Sequence, residues 1–329
     1  MRVGLDGKHR PGMPTLEYVR RRGYDGASFR SPENFTTTLD GGVLREARAF
    51  ADANGLYFEL GVGRINPYTF DKNPELVTWG DGDYRTGFQR AVRACLGAGC
   101  RELWCVTGTF VDRFTGKAPW PEQLRATEEF LRGLAPFLRD VGARLNMETH
   151  EEVTIPELLR LIEAIGPDVL GLCLDTANIF ARAADPAVAG QRVAPYVHLM
   201  QAKDAVVAFV PDGLQRQVRP CGDGAVDWPA LLPALGAYSP DLNLSLEDHK
   251  GLMPIPIYDP QWQAGHPDLT VAEVAQVVRL AYQFQQRVAA GETLDVAAYE
   301  AIPFREQREA RETESIAYLR RVVAAAGLG

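Results

Sequence analysis

The sequence predicts an α/β fold, a closed (β/α)8 barrel with a helical C-terminal extension. Three observations predict it. Short apolar, β-rich runs alternate with longer helical patterns from the first residues onward, and eight such runs occur before residue 250. Strands alternating with helices imply parallel pairing through right-handed crossovers, and eight such units close on themselves as a TIM barrel. No G-x-G-x-x-G or Walker-type loop follows the first run, where Gly7-Lys8-His9-Arg10 stands instead, which disfavours a doubly wound open sheet.

The expected strands are residues 2–7, 24–29, 56–62, 102–107, 143–149, 169–174, 196–200 and 242–246. Between them, residues 15–22, 44–54, 84–96, 121–140, 155–165, 187–193 and 228–235 carry helical patterns. Their punctuation fits: 44–54 closes on Gly55, 84–96 runs into Gly97 and Gly99, and 121–140 opens with Pro121 in its first turn. Residues 1–251 are therefore expected to form the barrel, and residues 252–329 an extension packed on it. In that extension, 252–267 is rich in Pro and aromatics and reads as an ordered loop over the mouth. Thr270-x-x-Glu273 then resembles a capping box, followed by Val274, Val277, Val278, Ala281, Phe284 and Val288 on one helical face expected to dock on the barrel.

Composition narrows the partners. The 329 residues are 46% hydrophobic and 24% charged, with 31 Gly and 22 Pro, which excludes collagen, coiled coil and wholesale disorder. With 35 Lys plus Arg against 43 Asp plus Glu, the net charge of -8 disfavours nucleic acid and anionic membranes. No apolar run approaches membrane-span length and no signal-peptide pattern opens the chain, so a cytoplasmic location is expected. The 5 cysteines, without C-x-x-C spacing, read as reduced core thiols.

Catalytic groups of such barrels sit where strands end. The fifth strand ends Asn146-Met147-Glu148-Thr149-His150, and alternation puts Asn146, Glu148 and His150 on one face. The eighth ends at Glu247 and His249, the sixth at Asp175 with Asn178 beyond, and the seventh carries His198. Two glutamates, an aspartate and a histidine on successive strands would converge near the axis. Such carboxylates repel one another unless a cation joins them, and one His with three carboxylates suits Mn2+ first, then Mg2+, with Co2+, Zn2+ or Fe2+ behind.

The segments Met147-Glu148-Thr149-His150, Leu174-Asp175-Thr176-Ala177-Asn178, Val197-His198-Leu199 with Lys203-Asp204, Pro220-Cys221-Gly222-Asp223-Gly224 and Leu244-Ser245-Leu246-Glu247 resemble the xylose isomerase-like barrel superfamily of sugar isomerases and epimerases. The resemblance implies one divalent metal held by Glu148, Asp175, His198 and Glu247. It also implies a sugar or glycoside substrate, for which His9, Asn178, Lys203, Arg219 and His249 are the candidate contacts. Two departures stand out: Asn178 occupies a position where the family often has His, and Met200-Gln201-Ala202 separates His198-Leu199 from Lys203-Asp204. The superfamily's endonuclease branch needs more histidines than the 5 present.

The implied chemistry is enolisation beside a sugar carbonyl, the metal stabilising the enediolate. Glu148 and Glu247 would serve as ligands and bases on opposite sides of the substrate, and His150 as a third base or as a group orienting a ligand. The E-x-H pair is also similar to the larger subunit of bacterial enzymes that cleave 3-oxo-C-glycosides, which implies a lyase alternative. The Pro254-Ile255-Pro256-Ile257-Tyr258-Asp259-Pro260 loop fits a bulkier substrate or a second, small subunit, and an oligomer is expected. A third reading is a noncatalytic sugar-binding barrel whose metal is structural.

Overall fold

The structure, a computed structural model, describes all 329 residues, Thr115 by its backbone alone. In chain order the strands are β1 (Arg2–Asp6), β2 (Gly26–Phe29), β3 (Tyr57–Arg64), β4 (Glu102–Val106), β5 (Arg144–Glu148), β6 (Leu170–Asp175), β7 (Val197–Ala202), β8 (Asp204–Val210), β9 (Gly213–Arg219), β10 (Asn243–Leu246) and β11 (Leu252–Ile255). Eight of them close a barrel in the order β1-β10-β7-β6-β5-β4-β3-β2, every pairing parallel. A parallel strand covered by helices on one side and barrel interior on the other is buried on both faces. That is why β6, Leu-Gly-Leu-Cys-Leu-Asp, reads as a nearly continuous apolar run and is buried along its whole length.

Three features depart from the sequence reading. First, β7 extends to Ala202, beyond the expected end at residue 200, and runs directly into a hairpin of β8 and β9 that the sequence reading did not contain. Second, residues 252–267 are not all loop: β11 pairs antiparallel with β9, making a three-stranded sheet beside the barrel, and Pro260–Ala264 is a short helix. Third, the last helix, Phe304–Ala325, packs on β1 and β10 and buries Ile316, Leu319 and Val323. It fills the place of the helix that should follow the eighth strand, so a boundary at 251/252 cuts through the last βα unit.

The helix Val271–Ala289 begins with the expected capping box between Thr270 and Glu273. Its buried residues Val277, Ala281 and Phe284 face the added sheet through β8 rather than the barrel itself. All five cysteines are buried and unpaired, as the absence of C-x-x-C spacing led us to expect. Among the described residues no helix is long and apolar enough to cross a membrane.

Candidate active site

Parallel strands deliver their last residues to one rim, and here four neighbours, β5, β6, β7 and β10, deliver charged ones. Glu148 closes β5, Asp175 closes β6, Lys203 follows β7 and Glu247 follows β10. All four are buried. Glu148, Asp175 and Glu247 each bring a carboxylate oxygen within 4.8 Å of the others, a cluster of the kind that attracts a divalent cation.

Three buried carboxylates need positive charge around them, and side chains supply it. Lys203 Nζ donates to Asp175 Oδ2 at 2.7 Å and to Glu247 Oε2 at 2.9 Å. Arg30 Nη2 at 2.6 Å and Lys8 Nζ at 3.0 Å both reach Glu247 Oε1. Burial would raise the Glu247 carboxyl, but Lys203, Arg30 and Lys8 together hold it well below the usual carboxylate range. Asp175 goes the other way: burial, with Glu247 and Glu148 beside it, raises its carboxyl against the pull of Lys203. One ammonium shared by two carboxylates explains the asymmetry, because Glu247 has two further cations and Asp175 has none.

Glu148 is held by neutral donors, Trp104 Nε1 at 2.9 Å and Asn178 Nδ2 at 3.2 Å. The Asn178 amide also donates to Asp175 at 2.8 Å, while its oxygen accepts from Arg216 Nη1 at 2.7 Å. Arg216, from β9, reaches Glu151 with its other arm at 3.0 Å. His150 keeps a fifth of its side chain exposed; its Nδ1 donates to Glu152 Oε2 at 2.5 Å and its Nε2 stands 4.0 Å from Glu148 Oε1. Burial opposes its charge, but Glu152 and Glu148 outweigh that and raise the imidazole to about 9. Glu152 also accepts from Thr107 Oγ1 and Gly108 N, and is pushed down to about 2 by His150 despite its burial.

The other expected contacts divide. His249 belongs to the site: its Nε2 lies 3.4 Å from Lys203 Nζ, and burial with that ammonium pushes it down to about 3, leaving a neutral ring. His9 stands exposed at the rim, with Nε2 2.7 Å from the Asp248 carbonyl oxygen. Arg219 does not line the mouth. It is buried against the Tyr299 ring, 3.7 Å from its centroid, and bonds Gln217 and the Leu294 carbonyl, so it fastens the extension.

His198 is also not where the four-ligand set needs it. It is the second residue of β7, at a register shift in the pairing with β6, while Gln201 pairs with Asp175. The groups around it are Glu102 and Arg144, at the starts of β4 and β5; a Cβ added to Gly171 would lie 2.6 Å from His198 Cδ2 and from Asn146 Oδ1. His198 thus lies toward the opposite end of the barrel. The error came from ending the seventh strand at residue 200: with the strand extended, its rim residues are Gln201 and Lys203.

These residues do not fit the expected four-ligand metal site. Gln201 offers a neutral amide, its Nε2 bonded to Asp6 at 3.2 Å and its Oε1 buried without a partner. More decisive is Lys203: an ion at bonding distance from the Asp175 oxygen would stand no more than about 5 Å from the ammonium. At an effective dielectric of about 20, that repulsion is about 7 kcal/mol before any rearrangement. The residues that sequence reasoning missed are Lys8, Arg30, Trp104, Glu152, Gln201 and Arg216. Lys8 and Arg30 each follow a strand and could have been found by the rule that rim residues act; Arg216 lies on the unforeseen hairpin.

Comparison with known proteins agrees with this architecture. The model of the xylose isomerase-like TIM barrel family matches residues 16–264. Among solved structures, D-psicose 3-epimerase from Clostridium cellulolyticum H10, crystallised with D-tagatose, superposes with a TM-score of 0.59 over 88% of this chain and 99% of its own, at 14% identity. The IolI protein with a bound zinc atom gives 0.56 over 86% and 99%, at 15% identity. The xylose isomerase domain protein of Planctomyces limnophilus gives 0.56 over 88% and 97%, at 19% identity. The uncharacterized protein YihM of Escherichia coli K12 is 30% identical over 97 residues, a stretch spanning 30% of each chain. With the family model covering most of the barrel, and a closed parallel barrel beneath it, the chain belongs to the xylose isomerase-like TIM barrel family.

Proposed function

We propose that the barrel is a sugar isomerase or epimerase that removes and returns a proton on the carbon beside a carbonyl. The observation that carries this reading is the convergence, on one rim, of a carboxylate held only by neutral donors, Glu148, with a charged imidazole, His150, 4.0 Å away. Glu148 is the base: Trp104 and Asn178 fix its plane, and the His150 imidazole stands off at 4.0 Å rather than at hydrogen-bond distance. His150, as an imidazolium at neutral pH, is the acid that donates to the developing oxyanion, in place of the neutral base expected from the sequence. Glu247 is held by three cations and serves to position Lys203 rather than to abstract a proton. His9, Lys8 and Arg30 stand at or near the rim a sugar would enter. The names of the fold neighbours D-psicose 3-epimerase and 3-keto-D-glucoside 4-epimerase support a keto-sugar as substrate class.

The three carboxylates favour a second reading, in which a divalent ion, Mn2+ by the sequence expectation, joins Glu148, Asp175 and Glu247 and supplies Lewis-acid polarisation. One experiment separates the outcomes. Keto-sugars and 3-oxo-glycosides are incubated in deuterated solvent, with chelator or with Mn2+, and followed for deuterium uptake and aglycone release. Uptake marks enolisation, and Glu148→Gln should lower it by about 10²–10⁴-fold. Aglycone release would point to the lyase and its expected partner subunit, and no uptake from any sugar would leave a binding protein only.

A further inference from the structure

Lys203 is a buried ammonium in the middle of a carboxylate cluster. It has three N–H donors. Two are spent on Asp175 and Glu247 at 2.7 and 2.9 Å. The third faces His249 Nε2 at 3.4 Å, longer than an ordinary hydrogen bond. His249 already uses its Nδ1 on the Lys250 carbonyl, so its Nε2 can only accept, and the long contact to Lys203 is the weakest of the three. A carbonyl oxygen entering the rim would make a better partner than this ring.

We infer that Lys203 is the resident cation of this centre, standing among the three carboxylates expected to hold a metal ion, and that its third N–H polarises the substrate carbonyl. The inference rests on the proposed enolisation. In the step, the Glu148 carboxylate takes the proton from the carbon beside the carbonyl. The C–H pair becomes the C=C bond, the carbonyl π pair moves to oxygen, and the new negative charge accepts a hydrogen bond from Lys203. Delivery of the proton from the Glu148 carboxyl to the former carbonyl carbon, with the neighbouring hydroxyl giving its proton to the oxygen held by Lys203 as its own C=O bond forms, completes a 1,2-isomerisation, so no oxidant or further reactant is needed. Asp175 and Glu247 are then positioning residues that aim the ammonium, and Gln201 at the height of Asp175 is consistent with a centre relieved of the need for an imidazole ligand.

The test is Mn2+ binding to the full-length protein, by electron paramagnetic resonance and calorimetry, alongside deuterium uptake. The wild type should show no site tighter than about 1 mM, and Lys203→Met, checked for folding by circular dichroism, should bind at least about tenfold more tightly because no ammonium competes for the carboxylates. Micromolar binding by the wild type, or no tightening in folded Lys203→Met, overturns the inference. Should Lys203→Met not fold, Gln201→His, which adds an imidazole but keeps the ammonium, must still bind no ion in the micromolar range; if it does bind, the inference falls. Uptake that appears only with Mn2+ likewise overturns it while leaving the proposed enolisation standing. No uptake under any condition, with the binding results as expected, removes the proposed reaction and with it the carbonyl-polarising role of Lys203, but leaves Lys203 as the cation of the cluster.

Discussion

His150 and Glu152 show how two residues set a protonation state. The imidazole lies above its ordinary value, so its contribution to stability is complete below about pH 6.5 and is lost as pH rises through about 9. Glu152 lies below its ordinary value, so its contribution is complete above about pH 4.5 and is lost as pH falls through about 2. Between those limits the pair is charged on both sides. Glu152→Gln should therefore bring His150 down from about 9 toward its ordinary range, visible in an NMR titration of the ring. It should also cost about 3 kcal/mol of stability at neutral pH, because the carboxylate that stabilises the imidazolium is gone. A His150 titration unchanged in that variant would show that Glu152 does not set its charge. Of this arrangement, the shared face of Glu148 and His150 was legible, because the chain stays extended through Thr149, whose N–H still bonds the Cys173 carbonyl just past β5, and a two-residue step along extended chain restores direction. Glu152 was not, since beyond the strand end the chain turns and that rule lapses.

At the scale of elements, the barrel strands declared themselves because strands buried on both faces must be apolar, and their helices because caps and glycines punctuate them. What failed was the exact end of β7. Residues 196–200 are apolar enough to pass for a complete strand, whereas Gln201 and Lys203 read as loop although Gln201 belongs to β7 and both lie at its rim. That one misplaced end put His198 in the ligand set and left Lys203 a substrate contact rather than the cation paired with Asp175 and Glu247. The last helix was missed for a different reason: it follows β10 only after β11 and three intervening helices, so adjacency in sequence gives no hint that it completes the barrel. If it does complete it, Leu319→Ala, at a fully buried position, should cost about 2–5 kcal/mol in urea denaturation, the range for core leucines. A loss well under 1 kcal/mol would mean that Phe304–Ala325 is a peripheral attachment.

Across the whole molecule, the site and the extension meet along one short run of chain. Glu247 enters the carboxylate cluster, Asp248 accepts from Arg311 Nη2 at 2.6 Å and Nε at 2.9 Å, His249 faces Lys203, and Lys250 donates to the carbonyls of Tyr299, Glu300 and Ile302. Successive residues thus alternate between reaction centre and extension, so the position of Glu247 depends on how firmly Asp248 and Lys250 are gripped. Arg311 is the firmest grip: it is buried, forks onto Asp248, bonds the His249 carbonyl and reaches the Tyr299 hydroxyl. Arg311→Lys keeps the charge but not the planar fork. It should cost about 2 kcal/mol of stability, the value of a lost charge-assisted hydrogen bond. Because a displacement of Glu247 carries Lys203 with it, the same change should slow deuterium uptake by as much as about 100-fold, the scale on which small misplacements of reacting groups act. Measuring uptake and urea stability on the same preparation separates coupling from scaffolding: stability lost with uptake unchanged would make the extension a support for the barrel and nothing more.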